Sequence, residues 1–348
     1  MSALSKLIRP DLQEFKPYNA GKRTLIRESL QFNLNESPFP QEYAGMQLNR
    51  YPEHQQDPEL LRCLSDIYGI GTEQVGLFRG SDEAIDLLVR LFCRASQDAI
   101  LQCFPTFGMY QIYAKLQGAK VITVPLNAEF KVDKNRLKAA WTPEVKIIFL
   151  CSPNNPSGTS IDAEDIFDLC DAYQGKSLIV VDEAYIEFSS YPSLSSSLSR
   201  YPNLAILRTL SKAYGLAGIR LGALLGSAEL LSLVKAILAP YPLPTPSTEI
   251  ALKALSWENR PKYTKHIQMI QAEREWLFQA ISTLPFVQKR WKSDANFLLI
   301  QVRDTQKLVE HSARVGILLR QISDGYVRLS IGTQEENRRL LKVWEGFP

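Results

Sequence analysis

One lysine stands among residues that could anchor a phosphorylated aldehyde. In the segment Arg208-Thr-Leu-Ser-Lys-Ala-Tyr-Gly-Leu-Ala-Gly-Ile-Arg220, Lys212 lies between Ser211 and Arg220. A lysine amine forms an imine with an aldehyde, and a hydroxyl and a guanidinium are suitable ligands for a phosphate. We therefore predict that Lys212 forms a Schiff base with pyridoxal 5′-phosphate, and that Ser211 and Arg220 bind its phosphate. Most lysines are solvated surface groups, so this prediction depends on the segments upstream.

Polar side chains that could serve the cofactor ring follow two apolar, strand-like segments. Asp182 ends the run 178–182, where a carboxylate needs a partner, and a protonated pyridine nitrogen is a suitable one. Asn155 and Tyr185 could donate hydrogen bonds to the ring's 3-oxygen. An Asn-Pro turn, a helix cap and a salt-bridged aspartate are the ordinary alternatives. An Mg²⁺ carboxylate at Asp182 is a further alternative, but the sequence has no GxxxxGK[ST] segment.

Two further segments could bind the phosphate and cover the ring. Ser81, a candidate N-cap, and Asp82 open an apolar helical pattern, and backbone N–H groups at a helix N-terminus bind anions. Phe107 follows a strand-like segment and could lie flat on the ring, with Tyr110 as the second choice. A plain serine N-cap and a core aromatic are the alternatives. All these residues stand at or directly after the ends of strand-like segments, which favours a single cofactor site.

The middle of the chain alternates short apolar runs with helical patterns. Apart from Lys146, the runs 146–151 and 178–181 are apolar and rich in β-branched residues, as buried parallel strands are. This predicts an α/β fold with a mostly parallel central sheet. The proline-rich stretch 239–246 predicts a stiff link to a smaller α+β domain. We expect three parts: an N-terminal segment that contributes to the small domain and the substrate site (1–34), a large cofactor-binding domain (35–240) and a small domain (241–348).

The composition is that of an ordinary globular protein. The 348 residues are 45% hydrophobic and 22% charged, with a formal net charge of +3 and no polybasic run. Nucleic acid and an anionic membrane are therefore not expected as partners, and no run reaches the roughly 18 apolar residues of a membrane span. The three histidines lack metal-ligand spacing, so we expect no metal site. Five cysteines without a CxxC pair indicate reduced thiols in a cytoplasmic protein.

Several segments spread over the chain resemble those of the fold-type I aminotransferases, and most closely their histidinol-phosphate branch. The segments are Asn33-Leu-Asn-Glu-Ser-Pro-Phe39, Arg50-Tyr-Pro52, Arg79-Gly-Ser-Asp-Glu83, Ser152-Pro-Asn-Asn-Pro-Ser-Gly158, Asp182-Glu-Ala-Tyr-Ile-Glu-Phe188, the Lys212 segment, Ala239-Pro-Tyr-Pro242 and Val327-Arg-Leu-Ser-Ile-Gly332. The resemblance implies the same roles for the residues already named. Phe107 stands where this family often has a stacking tyrosine, so the ring face is kept and a hydroxyl is lost.

The resemblance also implies roles that the residues alone do not suggest. Tyr51 resembles a tyrosine that reaches the cofactor phosphate of a second subunit, which implies a homodimer. Positions that bind the substrate's phosphate or carboxylate are matched by Tyr18, Arg320 and Arg328, and Asn35 matches a further substrate-binding position. Between Arg320 and Arg328 the chain is shorter than in some relatives, which leaves the placement of Arg320 open.

The activity implied by the resemblance is an amino-group transfer on small molecules, within histidine biosynthesis. It interconverts L-histidinol phosphate and 2-oxoglutarate with imidazole-acetol phosphate and L-glutamate. The alternatives are an aromatic amino acid aminotransferase, a decarboxylase of a phosphorylated amino acid, and a non-catalytic regulator that binds pyridoxal phosphate. Lys212, Asp182 and Tyr185 argue against the regulator. A nucleotide-binding protein is disfavoured because no glycine fingerprint follows an early strand.

Overall fold

The fold is built from two separate β-sheets and the helices that cover them. The computed structural model describes residues 2–13, 15, 34–40 and 42–347. The strands in this part of the chain are β1 (Glu42–Tyr43), β2 (Met46–Gln47), β3 (Val75–Phe78), β4 (Ala99–Phe104), β5 (Lys120–Pro125), β6 (Val145–Cys151), β7 (Leu178–Asp182), β8 (Leu204–Thr209), β9 (Gly222–Leu225), β10 (Val287–Arg290), β11 (Phe297–Val302), β12 (Arg320–Ser323) and β13 (Tyr326–Ser330). Strands β1 and β2 form a short hairpin of their own.

The helices separate successive strands of the large sheet and cover the small one. They are α1 (Pro58–Tyr68), α2 (Gly80–Phe92), α3 (Met109–Leu116), α4 (Lys134–Ala140), α5 (Ala163–Ala172), α6 (Ala228–Ile237), α7 (Thr245–Leu255), α8 (Arg260–Ala280), α9 (Thr305–Arg314) and α10 (Gln334–Glu345). Helix α1 shows why the sequence begins and ends helices where it does. Asp57 accepts a hydrogen bond from the backbone of Leu60, Pro58 opens the first turn, and Gly69 ends the helix in the left-handed conformation. None of the helices in the described residues is both long and apolar enough to span a membrane.

The large sheet has seven strands in the order β3-β9-β8-β7-β6-β4-β5, and only β9 runs against the others. Alternate residues of β6 enter different cores: Ile148 and Leu150 pack on one face, Ile147 and Phe149 on the other. Because helices cover both faces, the strand is apolar from Ile147 to Cys151. The predicted α/β fold with a mostly parallel sheet is confirmed.

The small sheet is antiparallel, in the order β10-β11-β13-β12. Its core includes Leu298 and Ile300 of β11 and Leu340 and Trp344 of α10. Helix α8 connects the two sheets, because Tyr263 near its start packs against the large-sheet core and its last turns lie in the small-sheet core.

Two segments outside the predicted large domain, residues 4–9 and helix α7, pack against the large sheet. The predicted domain boundaries at residues 34 and 240 remain a prediction. Leu4, Leu7 and Ile8 lie in the core under α2 and α6, and the Arg9 N–H donates to the Leu91 carbonyl. The first described residues therefore pack on the large sheet rather than the small one. Helix α7 also packs there, against α1, because its apolar face enters the large-sheet core.

Candidate active site

The predicted site residues meet at one edge of the large sheet. Strands β3, β4, β6, β7 and β8 run parallel and end at this edge, while β9 begins there because it runs the opposite way. Ligands of open α/β sheets bind at the carboxyl ends of the strands. Nine of the predicted residues line one cavity of about 160 Å³ at this edge: Ser81, Asp82, Phe107, Asn155, Asp182, Tyr185, Ser211, Lys212 and Arg220.

One end of the cavity carries groups suited to a phosphate. Helix α2 begins at Gly80, so the backbone N–H groups of Ser81 and Asp82 lie in its first turn, where they have no partner within the helix. The predicted N-cap role of Ser81 is wrong, because Arg79 occupies that position and makes no side-chain cap. The earlier start of the helix moves Ser81 from the cap into the set of backbone donors.

Arg220 closes this end of the cavity from the opposite side. Its guanidinium donates to the Ser211 hydroxyl at 3.4 Å and to the Asp82 carboxylate at 3.3 Å. Arg220 has a φ of 53°, a left-handed conformation that costs a non-glycine residue about 1–3 kcal/mol. Such strain is retained where the surroundings hold a residue in place, and here it aims the guanidinium at the start of α2.

Two glycines allow this close approach. A Cβ at Gly80 would lie 2.7 Å from Nη2 of Arg220, and a Cβ at Gly222 would lie 2.5 Å from the backbone nitrogen of Ser81. Gly222 begins β9, so only a glycine lets the first turn of α2 rest on the sheet edge.

Asp182 ends β7 and is 3% exposed. Its Oδ2 accepts a hydrogen bond from the Tyr110 hydroxyl at 2.7 Å, and its Oδ1 accepts one from the Ala184 N–H at 3.1 Å. Burial raises the pKa of this carboxyl to about 6, and the two hydrogen bonds oppose that rise. The side chain is therefore a carboxylate with a high affinity for a proton, placed at the cavity wall.

Lys212 faces the cavity from the loop after β8. Its amine lies 5.6 Å from the ring centre of Tyr185. The residue is exposed because it borders the open cavity, yet surrounding protein and the Arg328 guanidinium lower the pKa of its amine. A lowered pKa increases the fraction of neutral amine, the form that attacks a carbonyl carbon and accepts a proton.

The loop after β6 connects the cavity to the small sheet. Asn155 donates to the Tyr185 hydroxyl at 3.5 Å through Nδ2, and its Oδ1 accepts a hydrogen bond from Arg328. Burial raises the pKa of Tyr185, so its hydroxyl is protonated at neutral pH. Arg328 lies on β13 with its guanidinium over the ring of Phe297, 5.2 Å from the ring centre.

Arg320 and Arg328 are paired across the small sheet. They lie opposite each other in the register of β12 and β13, so their side chains share one face. Arg320 is exposed and its charge lowers the pKa of Arg328, an effect smaller than that of burial. Two like charges side by side favour an anion between them. The structure thus places Arg320, which the sequence left open, beside Arg328.

Four predicted residues that the structure describes do not line this cavity: Tyr51, Asn35, Arg320 and Arg328. Tyr51 stacks on Tyr241 with ring centres 4.5 Å apart and donates its N–H to Glu36 at 2.6 Å. It borders a separate cleft that also contains Asn35. Tyr18 lies outside the described residues. The roles given to Tyr51, Asn35 and Tyr18 therefore remain predictions.

Sequence reasoning missed three residues around the cavity. Tyr110, considered only as a ring platform, is buried and holds Asp182, while Phe107 faces the cavity. Thr209 and Cys151 end their strands as cavity walls, and burial raises the pKa of Cys151 to about 12. The signal for Tyr110 was its place three residues after Phe107, in the first turn of α3. The strand-end position was the signal for the other two.

The residues present fit pyridoxal 5′-phosphate. A dianion suits the free N–H groups of α2 together with Ser211 and Arg220. A buried carboxylate at the far wall suits a protonated pyridine nitrogen, and Lys212 lies where an aldehyde could be held. A side chain at Gly80 would collide with the Arg220 guanidinium, and one at Gly222 with the start of α2, the groups that form the phosphate end of this cavity.

Comparison with known proteins leads to a family of enzymes that use this cofactor. The sequence profile of the family "Aminotransferase class I and II" matches residues 21–343. A histidinol-phosphate aminotransferase of Francisella philomiragia is 41% identical over 342 residues, covering 97% of this chain and 94% of that protein. Histidinol-phosphate aminotransferase 1 of Legionella pneumophila is 38% identical over 355 residues, covering 100% and 96%.

A solved structure extends the comparison to the fold. The histidinol-phosphate aminotransferase of Sinorhizobium meliloti, solved in complex with pyridoxal-5′-phosphate, has a TM-score of 0.78 at 23% identity. The match covers 86% of this chain and 82% of that one, and it shows a common fold. With sequence identity along almost its whole length and a cavity that fits their cofactor, the chain belongs to the class I and II aminotransferases, in the family of the histidinol-phosphate aminotransferases.

Proposed function

We propose that the protein transfers an amino group from L-glutamate to imidazole-acetol phosphate, using pyridoxal 5′-phosphate and forming 2-oxoglutarate and L-histidinol phosphate. The names of the relatives supply the substrates. The observation that carries the proposal is the position of Arg328, which reaches from the small sheet to Asn155 at the cavity that Lys212 and Asp182 line. A transaminase for a phosphorylated substrate needs an anion site at this position.

Four residues of the cavity have direct roles in this reaction. When bound, pyridoxal phosphate supplies an electron sink for the substrate α-carbon. Lys212 Nζ accepts the proton from that carbon, and its lowered pKa suits a general base. Asp182 holds the proton on the ring nitrogen through a charge-assisted hydrogen bond. Asn155 and Tyr185 orient the ring at its 3-oxygen.

The same arginines serve both substrates in turn. Glutamate presents a carboxylate and imidazole-acetol phosphate presents a phosphate, and the planar fork of a guanidinium matches either oxyanion. Arg328 is held by Asn155 and lies over Phe297, so its position is fixed. Arg320, exposed on the neighbouring strand, adds charge for the phosphate.

The direct test supplies purified protein with L-glutamate and imidazole-acetol phosphate. We expect release of 2-oxoglutarate and formation of L-histidinol phosphate in equal amounts. Phenylpyruvate is the competing acceptor. A clearly higher kcat/KM for phenylpyruvate would replace this function with that of an aromatic amino acid aminotransferase.

The protein is further proposed to act as a homodimer in the cytoplasm. Tyr51 is 49% exposed, and Phe39, Tyr43 and Leu48, close to it in the sequence, are exposed as well. Exposed apolar surface marks interfaces, and a second copy would bring Tyr51 to the other subunit's cavity. All five cysteines are unpaired, which suits a reducing compartment. Sedimentation equilibrium should give twice the 39.4 kDa chain mass.

A further inference from the structure

Tyr110 lies directly below the cavity and has no exposed surface. Its ring stacks on Phe149 with centres 4.7 Å apart and an interplanar angle of 3°. Phe107, whose ring could cover the cofactor ring, contacts the Tyr110 ring edge-on, with ring centres 5.6 Å apart. Held between these two rings, the Tyr110 hydroxyl has little freedom, and it points at Oδ2 of Asp182 from 2.7 Å.

This contact determines which lone pairs of Asp182 remain for a ligand. A carboxylate has about four acceptor positions on its two oxygens. Tyr110 takes one on Oδ2 and the Ala184 N–H takes one on Oδ1. With a donor fixed on each oxygen the carboxylate cannot rotate freely, so its remaining acceptor positions stay directed at the cavity that Asp182 lines.

We propose that Tyr110 is a positioning residue that keeps Asp182 ionised and turned toward the cavity, so that Asp182 can hold a proton on the nitrogen of the cofactor ring. The inference rests on the proposed function, since it concerns pyridoxal phosphate. It assigns to Tyr110 a role that acts only through Asp182.

The charges around Asp182 show why the hydroxyl is needed. Burial raises the pKa of Asp182, and the Asp82 carboxylate raises it further, while Lys212 and the Tyr110 hydrogen bond lower it. Cys151 also faces this carboxyl, but burial keeps its thiol protonated at neutral pH. Burial likewise raises the pKa of Tyr110 well above its usual range, so its hydroxyl donates at any working pH. Without that donor Asp182 would bind a proton at higher pH, and a neutral carboxyl cannot pair with a protonated ring nitrogen.

The test is Tyr110→Phe, which removes the hydroxyl and keeps the ring between Phe107 and Phe149. The dissociation constant for pyridoxal phosphate is measured on the cofactor-free full chain across pH. In the wild type we expect affinity to fall as pH drops through the titration of Asp182. In Tyr110→Phe that fall should occur about one pH unit higher, so binding should be about two-fold weaker at pH 7 and roughly ten-fold weaker at pH 5. In the loaded enzyme, kcat should decrease while KM for glutamate stays unchanged.

Two controls separate positioning from mere packing. A 1-deaza analogue of pyridoxal phosphate has no ring nitrogen, so the variant and the wild type should bind it equally well. Tyr201→Phe removes another buried tyrosine hydroxyl, from a ring that stacks on Phe167, and should leave pyridoxal phosphate binding unchanged. Equal weakening for the analogue and the cofactor would overturn the proposal, as would an unaltered pH profile. Failure of the wild type itself to bind pyridoxal phosphate would instead overturn the proposed function.

Discussion

The proposed reaction needs Lys212 in its neutral form and Asp182 in its ionised form. Burial pushes both toward their neutral forms, which lowers the pKa of the amine and raises that of the carboxyl. For Lys212 the neutral form is the useful one, because it is the base and the nucleophile. For Asp182 the ionised form is the useful one, and the protein supplies two hydrogen-bond donors to keep it. Burial thus shifts both groups toward the neutral form, and only at Asp182 do two hydrogen-bond donors oppose that shift.

Replacing Lys212 tests its role as the base. We expect Lys212→Ala to lose about 10²–10⁴-fold or more in kcat, the usual contribution of a general acid or base. The absorbance band of cofactor linked to lysine should also disappear. Lys235→Ala is the matched control, since burial lowers the pKa of Lys235 as well but this residue does not line the cavity. Retention of the band in Lys212→Ala would assign the link to another lysine.

Replacing Asp182 tests the cost of its charge. Its folded pKa of about 6 exceeds the unfolded value of 3.8, so between these pH values the folded chain binds more protons, and stability falls as pH rises. Above pH 6 the full cost is on the order of 3 kcal/mol. We expect cofactor-free Asp182→Asn to be more stable than wild type at pH 8, with the gap narrowing toward pH 4. Denaturant unfolding at several pH values measures this, and a gap independent of pH would contradict it.

At the scale of elements, the phosphate site depends on how close α2 comes to β9. Gly222 allows that approach, because a Cβ there would lie 2.5 Å from the Ser81 nitrogen and 2.6 Å from the Gly80 carbonyl carbon. Both are backbone atoms, so the clash cannot be relieved by rotating a side chain. The helix start would have to move.

We expect Gly222→Ala to cost about 1–3 kcal/mol of stability and to weaken pyridoxal phosphate binding more than ten-fold. Gly346→Ala is the control, since this glycine has a φ of −89° and a Cβ there would lie 3.6 Å from the Val343 carbonyl oxygen, an ordinary contact distance. Thermal unfolding and cofactor titration measure the two effects. Normal cofactor affinity in Gly222→Ala would show that the start of α2 does not bind the phosphate.

The two sheets meet at an aromatic contact that holds Arg328 near the cavity. Phe130, on the loop between β5 and α4, packs edge-on against Trp291 at 4.9 Å and against Tyr326 at 6.0 Å. Tyr326 lies two residues before Arg328 on β13, so both side chains point to the same face. The Phe130 carbonyl accepts a hydrogen bond from Thr159, in the loop that carries Asn155.

Phe130→Ala should loosen this contact. Each edge-to-face pair contributes about 0.5–1.5 kcal/mol, so we expect a loss of roughly 1–3 kcal/mol in stability. The KM for imidazole-acetol phosphate should rise, while the affinity for pyridoxal phosphate, bound by the large sheet, stays the same. Phe167→Ala removes a stacked aromatic pair with Tyr201 elsewhere and serves as the control. Equal effects on substrate and cofactor would contradict a role confined to the small sheet.

At the scale of the whole molecule, the proposed exchange of Tyr51 between subunits can be tested by mixing variants. In a dimer of Lys212→Ala with Tyr51→Ala chains, one cavity would have an intact Lys212 and receive Tyr51 from the other chain. We expect such mixtures to regain activity that neither variant has alone, up to about half of one wild-type dimer's, because one of two cavities is complete. Gel filtration and activity after mixing measure this. No recovery in mixed dimers would place Tyr51 in its own subunit's cavity or outside the site.

The sequence alone determined which residues end the strands and what chemistry they could perform. Apolar runs ending at Cys151 and Asp182 required a buried parallel sheet, and the polar residues after them had to share its carboxyl edge. This local logic led correctly to the fold and to the nine cavity residues, since strand periodicity and turn residues are short-range signals. Packing between distant elements decided the rest. Only the tertiary structure showed that Tyr110 lies under the cavity, that α7 packs on α1, and that Arg320 faces Arg328. These contacts join residues far apart in the chain, and no local pattern encodes which face of one element meets which face of another.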